Sequence, residues 1–228
     1  MKTLIISALG LCCLTFAAEA QQTKLTTHVD SVSYSIGWDV GNSLKAQSIS
    51  VTPSLVAQGI LDALGGKTGP LTHEQTQQIL IALRDEMIAK QQAMMEEQAE
   101  KSAKEGEAFL ADNKKRKEVV TLPSGLQYEV VAQGTGPMPT ATDEVTVHYT
   151  GKLIDGTVFD SSIERGEPTS FKVNQVIPGW TEALQLMKVG AKWKLFIPAS
   201  LAYGQKGVPG SIPPNSVLVF DVELLAVK

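Results

Sequence analysis

The chain has 228 residues, enough for one or two domains. Charged residues make up 19% and hydrophobic residues 43%, with mean hydropathy near zero, a balance that speaks against a disordered chain and against a multi-span membrane protein. The net charge is −4, and both 71–118 and 119–228 carry eight basic against ten acidic residues, so no segment is a basic arm and nothing points to a nucleic-acid partner.

Residues 1–20 read as a secretory signal. Lys2 supplies the positive start, Leu4 to Ala18 is mostly apolar, and Ala18-Glu19-Ala20 has the small-x-small form of a cleavage site, which would leave Gln21 as the mature N-terminus. A short transmembrane anchor is the competing reading, but the run falls short of the roughly 20 residues a spanning helix needs. The two cysteines, Cys12 and Cys13, both fall in this segment. A lipid-anchor site wants a small residue just before its cysteine, which Leu11 before Cys12 fits poorly and Cys12 before Cys13 only somewhat better. The expectation is a free exported protein in the periplasm, with the lipid-anchored form as the less favoured alternative. A mature chain without cysteine excludes disulfides, thiol catalysis and zinc–thiolate sites.

From Asp30 to about Leu44 the pattern suits a helix. Val32, Ile36 and Val40 recur every fourth residue, and Tyr34, Trp38 and Leu44 widen the stripe. Thr52-Pro53 reads as a cap followed by proline in the first turn of a second helix. Leu55, Val56, Ile60 and Leu64 form its apolar face and Gly65-Gly66 its end. Two short helices in about 50 residues bury too little surface to stand alone. A second copy would supply the missing face, so 21–70 is expected to be a helical dimerisation domain. The alternative is that these helices pack on the C-terminal part of their own chain.

Thr72-His73-Glu74-Gln75 has the capping-box form. From there to Glu118 there is no proline and one glycine, Gly106, which predicts a long connecting helix over 71–118. Its first half carries the stripe Ile79, Leu80, Leu83, Met87, Ile88 and Met94. Its second half is mostly polar apart from Phe109-Leu110 and reads as a solvated arm, with Lys114 to Lys117 in the last turns, where cations offset the helix dipole.

Residues 119–228 read as an α+β domain of half-buried strands with one short helix, Trp180 to Met187. Leu126, Tyr128 and Val130 alternate with Gln127 and Glu129. Val145, Val147 and Tyr149 alternate with Thr146 and His148. Trp193, Leu195 and Ile197 alternate with Lys192 and Lys194, and Leu218, Phe220, Val222 and Leu224 with Asp221 and Glu223. Each is a half-buried strand pattern. Nine of the 13 aromatic residues lie at or after Tyr128. With few polar groups among them, they suit either a plain core or an apolar ligand pocket with a sparse polar rim. His28, His73 and His148 lie in separate segments without metal-ligand spacing, no nucleophile–base pair is visible, and neither metal nor cofactor is expected.

Val147-His148-Tyr149-Thr150-Gly151, Asp155-Gly156, Phe159-Asp160-Ser161-Ser162, Val176-Ile177-Pro178-Gly179-Trp180, Ala202-Tyr203-Gly204 and Ile212-Pro213-Pro214 resemble, in order and spacing over about 110 residues, the FK506-binding proteins, which are peptidyl-prolyl cis–trans isomerases. The layout of the whole chain is similar to the bacterial macrophage infectivity potentiator and FkpA branch, in which a helical dimerisation domain and a long helix precede the isomerase domain, and the resemblance implies for 119–228 a bent antiparallel β-sheet wrapped on a short α-helix. The resemblance implies Asp160, Tyr203 and Ile177 as the catalytic group, with the Ile177 N–H and the Tyr203 hydroxyl donating to substrate carbonyls. It implies Trp180 as the pocket floor, Tyr149, Phe159, Val176 and Phe220 as its walls, Phe171 at its side, and Ile212 on a loop covering it. Asp160 has two readings, orienting a polar group of the substrate or serving as a structural carboxylate bonded to Tyr149. Val208 stands where small members often carry histidine, which alters one rim contact. The partners implied are proline-containing unfolded proteins, a second copy of the chain, and FK506-type or rapamycin-type macrolides as inhibitors. The rival reading is a dimeric chaperone whose isomerase activity is secondary.

Overall fold

A computed structural model describes residues 24–228. The expected signal, its cleavage site and both cysteines lie outside the described residues. The chain divides into two compact units, one ending at Gln75 and the other running from Thr76 to Lys228.

In the first unit, helix α1 (His28–Ala46) starts on a reciprocal cap. The Thr27 hydroxyl accepts from the Asp30 N–H at 3.0 Å, and the Asp30 carboxylate accepts from the N–H groups of Thr27 at 2.8 Å and Thr26 at 3.0 Å. The expected start at Asp30 therefore moves back to His28, because an aspartate, shorter than the Glu or Gln of the usual capping box, closes this one. Helix α2 (Pro53–Leu64) has Thr52 at its cap, but the Thr52 side chain makes no cap hydrogen bond. The preset φ of Pro53 is what remains to start the helix. Neither helix buries a residue: Trp38 is 63% exposed and Leu55 69%.

Helix α3 (His73–Asn113) opens on the expected box, with the Gln75 N–H on the Thr72 hydroxyl at 3.2 Å and the Thr72 N–H on the Gln75 side chain at 2.9 Å. It ends at Asn113, five residues before the expected 118. The basic run Lys114 to Lys117 accordingly lies in the turn beyond the helix, not in its last turns. Tertiary bonds draw the chain away there. The buried Asn113 amide donates to Gln127 at 2.8 Å, and Arg116 bridges Glu118 at 2.8 Å and Glu129 at 2.6 Å.

The second half of α3 is not a solvated arm. Ser102, Gly106 and Asn113 are buried. The Phe109 ring lies 5.9 Å from that of Phe196, and a Cβ on Gly106 would come within 2.7 Å of Val217. Glycine in mid-helix costs about 1 kcal/mol relative to alanine, and here it lets the helix seat on the sheet.

The sheet is open, antiparallel and seven-stranded: β1 (Val119–Thr121), β2 (Gln127–Ala132), β3 (Glu144–Leu153), β4 (Val158–Ser161), β5 (Thr169–Lys172), β6 (Lys192–Ile197) and β7 (Leu218–Val227). Its order is β1-β2-β6-β7-β3-β4, with β5 on the first half of β3 and β4 on the second. Register shifts at Val130/Ala132, Thr146/Val147 and Gly151/Lys152 mark bulges, which bend and twist a sheet. The expected alternation holds on the inner face, where Val145, Val147, Tyr149, Leu195, Ile197, Leu218, Phe220, Val222 and Leu224 are buried. Gln127 departs from it, being buried on the outer face where α3 covers it and donating to the Leu110 carbonyl at 3.0 Å. Helix α4 (Pro178–Leu184) fills the inner side with Trp180, Ala183 and Leu184; it begins two residues earlier and stops three earlier than expected.

Candidate active site

The inner face of β3 and β7 meets the start of α4 at a cavity of about 460 Å³. Ile177 caps α4 and Pro178 begins it, so Trp180 arrives in the first turn with its ring turned into the sheet, 4% exposed. Three rings stand edge-on or tilted around Trp180: Tyr149 at 5.3 Å, Phe220 at 5.2 Å and Phe171 at 5.4 Å between centroids. Phe159 meets Phe220 edge-on at 5.5 Å. Gly151 explains how Phe159 and Phe220 come so close, because a Cβ there would lie 2.6 Å from Phe220 and 2.7 Å from Phe159.

The polar side is built on Asp160. Its carboxylate accepts the Tyr149 hydroxyl at 2.5 Å and pairs with the Arg165 guanidinium. Arg165 also donates to the Tyr149 oxygen at 3.0 Å and to the Thr169 hydroxyl at 3.2 Å, and lies 5.6 Å above the Tyr149 ring. Burial pushes the Asp160 carboxyl up, but the bonds from Tyr149 and Arg165 and the guanidinium's charge outweigh it and hold the group below the usual carboxylate range. Burial, aided by the bond to Asp160, pushes the Tyr149 phenol up, so it stays protonated. Two donors at the cavity remain free: among the described residues, neither the Ile177 N–H nor the Tyr203 hydroxyl has a hydrogen-bond partner.

Tyr149, Phe159, Asp160, Phe171, Val176, Ile177, Trp180, Tyr203 and Phe220 all line this one cavity. Ile212 does not. It is 5% exposed within the core, exchanging hydrogen bonds with Val208 at 2.8 and 2.9 Å. Three residues at the site carried no signal in the sequence. Arg165 lies in an irregular turn five residues after Asp160. Thr169 and Gln175 line the cavity from β5 and the short turn after it. His148 is outside it, bonded to Ser162 at 3.1 Å. Among the described residues, no group of three His, Cys, Asp or Glu is placed to hold a metal ion, and no helix is long and apolar enough to cross a membrane.

Comparison with known proteins places this geometry. Residues 136–225 match the family described as FKBP-type peptidyl-prolyl cis–trans isomerase, and residues 29–130 match the domain amino-terminal to such isomerases. The outer membrane protein MIP of Legionella longbeachae is 46% identical over 228 residues, covering 100% of this chain and 98% of that protein. The chain belongs to the FKBP-type peptidyl-prolyl cis–trans isomerases. The isomerase FkpA of Aeromonas hydrophila is 46% identical over 92% of this chain and 81% of its own. The crystal structure of FkpA from Escherichia coli matches with a TM-score of 0.73 at 42% identity, over 90% of this chain and 99% of that one. The two-part α+β layout is thus that of this FKBP branch. Its activity is isomerisation of peptidyl-prolyl bonds, and its substrates are proline-containing polypeptides.

Proposed function

We propose that the cavity over Trp180 takes the prolyl ring and its preceding amide, that two fixed donors hold the substrate chain there, and that rotation is accelerated by exclusion of water without proton transfer. The X–Pro bond faces a barrier of roughly 18–20 kcal/mol from amide resonance and exchanges unaided over tens to hundreds of seconds. At the twisted geometry resonance is lost and the carbonyl becomes less polar. A dry aromatic cavity disfavours the planar, polar amide more than the twisted one, which is differential binding of the transition state. The ring rests on Trp180 between Tyr149, Phe159, Phe171, Val176 and Phe220. The Ile177 N–H and the Tyr203 hydroxyl hold carbonyls of the substrate chain.

The observation that carries this reading is the contrast between free and engaged polar groups. Ile177 and Tyr203 have donors to give, whereas Asp160 is paired with both Tyr149 and Arg165 and held ionised. A carboxylate so engaged is a poor general acid at neutral pH. Its role here is to hold Tyr149 and Arg165 in place, the structural one of its two readings. Ile212 acts from behind, as packing under the loop.

The test is the rate of cis–trans exchange in a short X–Pro peptide with the mature chain from Gln21, with and without an FK506-type macrolide. Catalysis that the macrolide abolishes supports the cavity as the site. Catalysis unaffected by a macrolide that binds at this cavity would move the site elsewhere.

The reading extends to assembly and place of action. A second copy of the chain covers the exposed stripe of α1 and α2, giving a homodimer. The protein acts in the periplasm on folding exported proteins after signal cleavage at Ala20. The relatives are named for isomerase activity and for the outer membrane, which supports an isomerase of the cell envelope over a chaperone with incidental turnover.

A further inference from the structure

Tyr203 opens the loop that runs to Pro214, and two features at the end of that loop touch helix α3. Asn215 is in the left-handed conformation, with φ of 57°. Its backbone N–H donates to the Gly204 carbonyl at 2.8 Å, next to Tyr203, so the two ends of the loop are tied together. Its side-chain amide donates to the Ala99 carbonyl of α3 at 3.4 Å. Two residues on, Val217 packs against Gly106 of the same helix. Between these contacts a gap of about 120 Å³ separates Gln98 and Ser102 of α3 from Pro213 and Ser216.

We propose that Asn215 is a positioning residue for the prolyl cavity: it ties the Tyr203 loop to α3, so the seat of α3 on the sheet sets where the Tyr203 hydroxyl stands. The proposal rests on the reading of Tyr203 as a substrate donor. Tyr203 needs such support because it is 42% exposed and its own hydroxyl bonds to no described residue, so its ring is placed by its backbone. That backbone is fixed at Gly204 by Asn215, and Asn215 is fixed in turn by a carbonyl of a 41-residue helix. A shift of α3 on the sheet therefore reaches the cavity rim through the Asn215 amide, beside the contact of Val217 with Gly106.

The competing reading is conformational, since asparagine tolerates a positive φ. Asn215→Gly separates the two roles. Glycine adopts the same φ without strain and keeps the backbone N–H, so on the conformational reading the variant catalyses like the native chain. On the positioning reading, KM for a short X–Pro peptide rises about three- to tenfold, the range one amide hydrogen bond is worth, while kcat stays within about twofold because the donor acts on bound substrate and transition state alike. Asn215→Asp, which cannot donate to a carbonyl when ionised, should match Asn215→Gly. Tyr203→Phe and the double variant complete the cycle, all in the full chain. If Asn215 acts through Tyr203, Asn215→Gly adds little once the hydroxyl is gone. Native kinetics in Asn215→Gly, or effects that multiply independently with Tyr203→Phe, would overturn the tie alone. Native kinetics in Tyr203→Phe would overturn the reading of Tyr203, and the tie with it.

Discussion

Asp160, Tyr149 and Arg165 form a closed set in which one carboxylate serves two donors. The direction of its titration gives a prediction. A carboxyl whose folded pKa lies below its unfolded value contributes stability that is fully present above the unfolded value and is lost as pH falls through the folded one. The ionised carboxylate also holds Tyr149 in the free folded enzyme, so native kcat/KM should stay flat down to the usual aspartate value and fall only below it. In Arg165→Met the guanidinium is gone while the Asp160 burial remains, so the fall should begin at higher pH. The measurement is the pH profile of kcat/KM for both proteins, and coincident acid limbs would contradict this assignment. The sequence names Asp160 and Tyr149 through their motifs, but Arg165 sits in a turn with no periodicity and only the fold brings its fork to Asp160.

Helix α3 changes character along its length. Its polar second half packs through a few positions, Ser102, Gly106, Phe109 and Asn113, onto an outer sheet face made apolar by Phe196 and Val217. The division between arm and isomerase domain is thus not at 118. A fragment of residues 119–228 opens Phe196 and Gln127 to water and removes the Gln127 hydrogen bonds to Asn113 and the Leu110 carbonyl. Each hydrogen bond exchanged for water costs about 0.5–1.5 kcal/mol net, and exposing the Phe196 ring adds about 1.5–3 kcal/mol. Urea unfolding should show the 119–228 fragment less stable than one of residues 92–228 by several kcal/mol. Equal midpoints would mean that the helix contributes nothing to the domain. A wedge at the seat, Gly106→Leu, should destabilise the full chain by about 1–3 kcal/mol, as overpacking does.

At the scale of the whole molecule, the two units differ in what they bury. The C-terminal sheet has a continuous core from Leu126 to Leu224, while α1 and α2 bury nothing and expose Trp38, Ile36 and Leu55. Apolar faces of that extent on short helices are unstable in water unless covered. Light scattering should give twice the mass of one chain for the mature protein. Trp38→Glu, a charge in the middle of the α1 stripe, should shift it toward the monomer, with short-peptide isomerisation left within about twofold because the cavity lies wholly in the second unit. A monomeric native chain would overturn the proposed dimer.

Strand alternation, capping residues and the spacing of the aromatic motifs are local properties, and a period of two or a Thr-x-x-Gln box acts within a few residues. Hence strand alternation determined the inner strand faces and the capping box the start of α3, while the nine residues of one cavity were implied by the family resemblance that their motifs carry. Other features depend on groups far apart in the chain. The end of α3 is decided by Asn113 meeting Gln127, the burial of Gln127 by a helix on the outer face, the place of Ile212 by the loop's bridge to Val208, and the ionised Asp160 by Arg165 folding back on it. No local pattern encodes such meetings, because they come from which surfaces the sheet's twist and the helix's length bring together, and only the tertiary structure decides them.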